Sequence, residues 1–358
     1  KNWIIDFGLQ TSLLKFVPNN SYISSQKNQQ PADITNSLET ALYAENRITF
    51  LNTSLATFGL RLVNYTTTGY MHFSLEPRLN LNVSVAENHM LNASFMRVSQ
   101  FSHLAFTTGS IMNNEVWIPA GKKIPPALSD QFTLGWNGDY SNNMFSSEIN
   151  LYYKNMQNLS TFREGYTNLM GDENWSSKIE SGGEGKSIGA EFLIRKNSGK
   201  WTGFVSYART RTTRQYPNIN NGREYLFDYN RPNSLSLNVS YKFSEKLSFN
   251  LLWAYQSGLP YTQAIGRYYL PSLENDYRGN SYYYEALIYG ERNCSKMKDY
   301  HRLDIGISYS KRTKVKKNKA IWNFSVYNVY NRHNPVYYYY NTNNTGEIFM
   351  PEWGGEYK

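Results

Sequence analysis

Across residues 234–243 the chain alternates without a break. Leu235, Leu237, Val239, Tyr241 and Phe243 are apolar or aromatic, while Ser234, Ser236, Asn238, Ser240 and Lys242 between them are polar. A period of two is the mark of a β-strand with one apolar and one polar face. The pattern recurs at 78–85, 188–195 and 303–310, and no segment of helical period competes with it. Composition agrees: aromatics make up 16% of the 358 residues and charged residues only 18%, against roughly 25% charged in an average soluble domain. Such a balance disfavours a helical protein and favours strands. The aromatic content also excludes disorder. No run approaches the roughly 18 apolar residues of a transmembrane helix, so a helical membrane protein is excluded.

Scoring every alternating run predicts about thirteen strands, near 3–14, 37–47, 55–64, 73–86, 89–100, 129–140, 145–157, 186–196, 200–212, 232–243, 247–257, 300–311 and 319–331. Their lengths suit strands that cross a bilayer at a tilt, for which about 9–11 residues suffice. The connections alternate between long and short, with 65–72 the one exception. In an up-and-down antiparallel sheet alternate connections share an end, so all the long loops fall on one side and the tight turns on the other. Outer-membrane barrels sort their loops in this way. A barrel of more than about ten strands is too wide for side chains to fill, so a wet interior with an apolar exterior requires lipid outside. The polar positions Asn80, Asn82, Asn238 and Ser240 are then expected to face the lumen. Aromatics near strand ends (Tyr152, Tyr153, Trp253, Tyr255, Tyr327, Tyr330) fit an interfacial girdle.

Four stretches carry a resemblance: 228–232 (Asp-Tyr-Asn-Arg-Pro), 253–262 (Trp-Ala-Tyr-Gln-Ser-Gly-Leu-Pro-Tyr-Thr), 299–304 (Asp-Tyr-His-Arg-Leu-Asp) and 324–335, which ends in Asn331, Arg332, His333, Asn334 and Pro335. With 59–62, 75–79, 117–121 and 199–203 in the same order, they resemble the C-terminal barrel half of TonB-dependent outer-membrane receptors, particularly those of Bacteroidota, over nearly the whole chain. The resemblance implies an all-β, antiparallel up-and-down transmembrane β-barrel of about 22 strands occluded by a plug. It also implies a place in the Gram-negative outer membrane and uptake of a scarce solute energised through the TonB-ExbB-ExbD complex. The sequence itself shows neither plug nor energy-coupling box, and an odd strand count is unusual for a single-chain bacterial barrel. It therefore reads as a barrel segment over 1–335, followed at 336–358 by a last extracellular loop without a closing strand. A passive porin or an adhesin-type barrel would share the strand pattern.

No catalytic constellation emerges, so an enzyme is not expected, and no cofactor is called for. His72, His89, His103, His301 and His333 are scattered without metal-ligand spacing, and Cys294 stands alone in a polar stretch. The glycines of 181–185 precede a predicted strand rather than a helix, which argues against a phosphate cradle and for a bend into the wall. The basic run 311–319 falls on the turn side and reads as a solvated turn beside lipid headgroups, not as a nucleic-acid surface. Recognition is expected in the long loops. Trp117 in 101–128, and Arg267, Tyr268, Tyr282, Tyr283 and Tyr284 in 258–299, offer aromatic faces and cations suited to sugars, peptides or anionic chelates.

Overall fold

The computed structural model describes residues 3–18, 34–51, 53–106, 115–166, 174–275, 281–312, 319–336, 338–339 and 352–353. Thirteen wall strands run in chain order, each antiparallel to the one before. They are β1 (Trp3–Phe16), β2 (Thr35–Phe50), β3 (Ser54–Thr67), β4 (Tyr70–Ala86), β5 (His89–Gln100), β6 (Ala127–Tyr140) and β7 (Phe145–Phe162). The series continues with β8 (Ile179–Lys196), β9 (Trp201–Gln215), β10 (Asn233–Lys242), β11 (Leu247–Gln256), β12 (Tyr300–Arg312) and β13 (Lys319–Val326). A two-residue strand, Tyr225–Leu226, pairs with the far end of β9. No pairing among the described residues joins β1 to β13. The alternating segments of the sequence are these thirteen strands, and the architecture is the expected up-and-down wall.

Register turns the alternation of single strands into two continuous faces. One lateral row reads Leu81, Ala93, Leu134, Leu151 and Ala190 across β4 to β8, and the next reads Val83, Leu91, Trp136, Ile149, Phe192, Tyr207 and Leu235 across β4 to β10. These apolar side chains are not buried: Leu134 is 55% exposed and Phe192 42%. A face this greasy is stable only when something other than water covers it. At the turn end it finishes in Trp201, Tyr241, Phe243, Tyr309 and Trp322. The Trp201 and Tyr241 rings meet tilted at 4.3 Å and Tyr241 meets Phe243 edge-on at 4.7 Å, a girdle of the kind found where a wall passes through headgroups.

The opposite face is polar. Glu39, Arg61 and Glu76 form an ion triad across β2, β3 and β4, with Arg61 Nη2 2.7 Å from Glu39 and Nη1 2.9 Å from Glu76. Asn82 donates to Asn80 at 2.6 Å, Tyr152 bonds Thr210 at 2.7 Å across β8, and Ser240 donates to Asn250 at 2.7 Å. What is buried is also on this face, toward the long-loop end. Ala41, Val63 and Tyr65 of β2 and β3 are covered by Phe101 and Ala120, and Phe162 and Ile179 pack with Ala105, Ile118, Ile124 and Trp175. The loops thus fold over the polar face, which makes it the inner one, and the bare apolar face is the outer one.

Local features depart from the sequence reading, among them Tyr152, expected in the aromatic girdle, which lies on the inner face bonded to Thr210. The glycine run 181–185 lies within β8 and not before it, at a pair of register shifts opposite β7, where Asn158 takes a left-handed φ of 56°. This is a β-bulge that bends the wall. β13 ends at Val326, short of 331, because Asn328 (φ 53°) and Asn331 (φ 49°) turn the chain, and the backbone N–H of Asn328 donates to Asp304 at 2.9 Å. Of the basic run 311–319, positions 313–318 lie outside the described residues.

Candidate functional site

The long connections gather at one end and are not featureless. Within 101–126, strands Ser102–Phe106 and Glu115–Pro119 pair as a hairpin. Within 257–299, a short pair, Pro260–Tyr261 with Ser295–Lys296, supports a longer hairpin of Ala264–Asn275 and Ser281–Tyr289.

The longer hairpin collects five of the six loop residues singled out from the sequence. Arg267, Tyr268, Tyr282, Tyr283 and Tyr284 all lie on it, with Tyr284 opposite Leu270 and Tyr283 opposite Pro271. Arg267 holds its guanidinium 5.8 Å from the Tyr269 ring centroid, a cation–π distance. Tyr268, Tyr269 and Tyr283 are exposed, while the side chains of Tyr282 and Tyr284 lie outside the described residues. Trp117 is apart from this group, on the 102–119 hairpin opposite Leu104, and is exposed. Asn80, Asn82, Asn238 and Ser240 are on the inner face of the wall.

What anchors the hairpin was not visible in the sequence. The backbone N–H of Arg292 donates to Asn220 Oδ1 at 2.7 Å, and Asn220 Nδ2 returns a bond to the Arg292 carbonyl at 3.3 Å. Asn293 Nδ2 donates to the Leu226 carbonyl at 2.8 Å. The Arg292 side chain is buried, with its guanidinium 5.7 Å from the Tyr225 ring and Nη1 3.3 Å from the Tyr225 hydroxyl. Burial raises the phenols of Tyr225 and Tyr216 above the ordinary tyrosine range, so both are neutral, and the Tyr225 hydroxyl accepts from Arg292. The two loops therefore form one body through contacts about 70 positions apart in sequence, a separation no local pattern reveals.

A second lock uses residues quoted above for the resemblance. Asp299 accepts from the Gly258 backbone N–H at 2.9 Å, from the Tyr255 hydroxyl at 2.7 Å and from Lys296 Nζ at 2.6 Å. Burial alone would raise its pKa, but these donors outweigh burial and lower it from 3.8 to about 2. Gly258 is required by close approach: a β-carbon there would stand 1.9 Å from the Met297 carbonyl oxygen. His301 and Asn334 bond reciprocally, N–H to Oδ1 and Nδ2 to carbonyl, each at 3.0 Å. The motif residues fix where the loops leave the wall.

The histidines do other work. His103 is 4% exposed inside the 102–119 hairpin, and burial lowers its pKa to about 4 against the raising effect of a hydrogen bond to the Pro125 backbone. His301 Nδ1 bonds the Tyr330 hydroxyl at 2.8 Å. Among the described residues no group of three or more His, Cys, Asp or Glu side chains is placed to hold a metal ion.

Comparison with known proteins agrees with this arrangement. The family model described as TonB dependent receptor-like, beta-barrel, matches residues 3–331. Among solved structures, the chain is similar to the ferric-catecholate import receptor Fiu from K12 E. coli, with 13% identity, a TM-score of 0.60, and coverage of 98% of this chain and 50% of that one. It is also similar to the siderophore receptor PirA from Acinetobacter baumannii (11% identity, TM-score 0.59, 92% of this chain and 48% of that one). A third likeness is to the ferripyoverdine receptor of the outer membrane of Pseudomonas aeruginosa (14%, 0.54, 98% and 44%). At these identities the likeness is one of fold, and the chain spans half or less of each. No curated protein matches. An outer-membrane wall with its apolar face outward, its loops sorted to one end and a family match over nearly all its length admits one conclusion: the chain belongs to the TonB-dependent receptor β-barrel family.

Proposed function

We propose that this chain forms wall and capture loops of an outer-membrane receptor that imports a scarce solute, with a ferric chelate the first candidate. Import would be driven by the inner-membrane proton-motive force through TonB-ExbB-ExbD acting on a plug seated in the barrel. The observation that carries the reading is the family match together with a polar inner face roofed by locked loops. A lumen lined by Asn80, Asn82, Asn238 and Ser240 offers donors and acceptors to a removable plug without holding it by apolar burial. The hairpin bearing Arg267, Tyr268, Tyr269 and Tyr283 offers a cation and aromatic faces at the mouth, which suits an anionic, ring-bearing chelate. The neighbours named for siderophores support that choice of solute class.

Uptake of radiolabelled ferric chelates by cells expressing the complete receptor, with and without a protonophore, tests the proposal. Cobalamin, peptides and glycans form the comparison panel. Saturable uptake abolished by the protonophore is expected for a ferric chelate. Uptake that is linear in concentration and indifferent to the protonophore would replace the reading with a passive channel.

A further inference from the structure

The outer face carries a concavity, a trough of about 1110 Å³ between β4 and β9. Its floor includes Leu81, Ala93, Leu134, Leu151 and Ala190, five residues of a single lateral row in which two alanines sit low among leucines. It exceeds the roughly 300–1,000 Å³ of pockets that enclose small ligands, and at its long-loop end the lining includes Leu226, Asn230 and Pro232. The row continues onto β9 as Arg209, opposite Ala190, and the row above it continues from Ile188 to Arg211.

Two arginines thus stand where apolar side chains fill the same rows on the preceding strands. Arg209 is exposed, with Nη1 3.2 Å from Asn233 Oδ1. Arg211 is paired at 3.6 Å with Glu224, and that pair is open to solvent, its side chains 69% and 43% exposed. Lys186 is exposed on the same face of β8, one row above Ile188, diagonal to Arg211. Nearby on this face are also Glu184 above Lys186 and the bidentate Arg97–Asp130 pair, which neutralises itself at 2.7 Å, while Lys196 lies on the same face of β8 at the turn end.

The apolar band shifts toward the turns as it passes across the sheet, starting at Ile188 on β8, at Tyr207 on β9 and at Leu235 on β10. Arg209 and Arg211 consequently sit at its upper margin, on the long-loop side. An arginine facing lipid is costly at the midplane and close to costless at the interface, so these two are tolerable where headgroups begin and better than tolerable where a headgroup is anionic. They lie two positions apart on one strand face, about 6.7 Å, a spacing that allows both forks to reach one phosphate.

We infer that this trough is a lipid-binding site: the acyl chains of a phosphorylated lipid of the outer leaflet lie over Ala93 and Ala190, and its phosphate is held by Arg209 and Arg211 with Lys186 beside them. The site is on the opposite face of the wall from the solute path, so it stands whether or not the solute assignment does.

Native mass spectrometry of the full-length receptor in non-ionic detergent provides the test. The lipids added are monophosphoryl lipid A or its dephosphorylated counterpart, with inorganic phosphate as a third arm. The wild-type protein is expected to retain the phosphorylated lipid at least tenfold more tightly than the dephosphorylated one. The double variant Arg209→Gln/Arg211→Gln should bring that ratio to about one, and Ala190→Phe, which fills the floor and leaves both arginines, should weaken retention of both lipids. Heat-modifiable migration on gels checks that each variant is folded. Equal retention of the two lipids by the wild-type protein, an unchanged ratio in the double variant, no loss in Ala190→Phe, or inorganic phosphate bound as tightly as the lipid would each overturn the inference.

Discussion

Replacing Asp299 with Ala should release the base of the 257–299 loop while leaving the wall intact. The carboxylate holds three donors. Lys296 is half exposed and contributes at most about 1 kcal/mol, as solvent-screened pairs do. The Gly258 N–H and the Tyr255 hydroxyl make charge-assisted bonds worth roughly 1.5–3 kcal/mol each, and the partial exposure of Asp299 argues for the low end. The sum is about 3 kcal/mol, a roughly 100-fold shift in the opening equilibrium of the loop base. Hydrogen–deuterium exchange reads it directly. The amides of Gly258 and of Met297, which donates to the Leu259 carbonyl at 2.8 Å, should exchange about two orders of magnitude faster, with those of β11 and β12 unchanged. Asp299→Asn, which retains acceptors without charge, should give an intermediate acceleration. The folded pKa lies below the ordinary value, so the stabilisation is complete above pH 3.8 and is lost as pH falls toward 2. Corrected for intrinsic exchange, protection should therefore be equal at pH 7 and 5 and decline only below about 4. Unchanged exchange in Asp299→Ala, or acceleration spread evenly over all thirteen strands, would refute this account of the lock.

Gly258→Ala should reproduce the phenotype by a different route, since its β-carbon collides with the Met297 carbonyl, and limited proteolysis should cut within 257–299 earlier than in the wild-type protein. Glu76→Ala strips the fully buried carboxylate that accepts from Arg61 and from the Ser99 N–H at 2.9 Å. The loss of about 3–5 kcal/mol expected of a broken buried pair should appear as a lower urea midpoint of unfolding. His103 is held neutral with a pKa of about 4 against 6.5 unfolded. Its contribution is thus complete above pH 6.5 and lost as pH falls through 4, and His103→Gln should flatten thermal stability across that window.

The wall was legible because lipid on one side and water on the other impose a strict period of two, and all thirteen strands carry it. The strand ends were less so. β7 runs on to Phe162 and β8 begins at Ile179, beyond the alternating 145–157 and 186–196, because above the band the loops cover Ser160, Thr161 and Phe162 and no two-sided contrast remains. The 264–289 hairpin was read only as loop: Ile265, Tyr268, Tyr269, Leu270 and Tyr283 put apolar side chains on both faces of its strands, so the alternation vanishes. The residue types chosen for recognition were nonetheless on it, since aromatics and arginine in a long loop are a compositional signal. Neither the Arg292–Asn220 lock nor the arginine rim of the trough has a local signature. The first joins distant segments, and the second appears only when register sets Arg209 beside Ala190.

The central claim is that the apolar face meets acyl chains and the polar face meets water. Spin labels on single cysteines introduced in Cys294→Ser protein test it in lipid vesicles, at Leu134, Leu151, Phe192 and Leu237 on one face and at Asn92, Asn150, Ser206 and Asn238 on the other. The account predicts that labels in the first set relax readily with oxygen and hardly at all with a water-soluble nickel chelate, and that the second set shows no such lipid signature. Nickel access at Leu134 or Phe192 as free as at Asn150, or oxygen access that does not distinguish the faces, would contradict it.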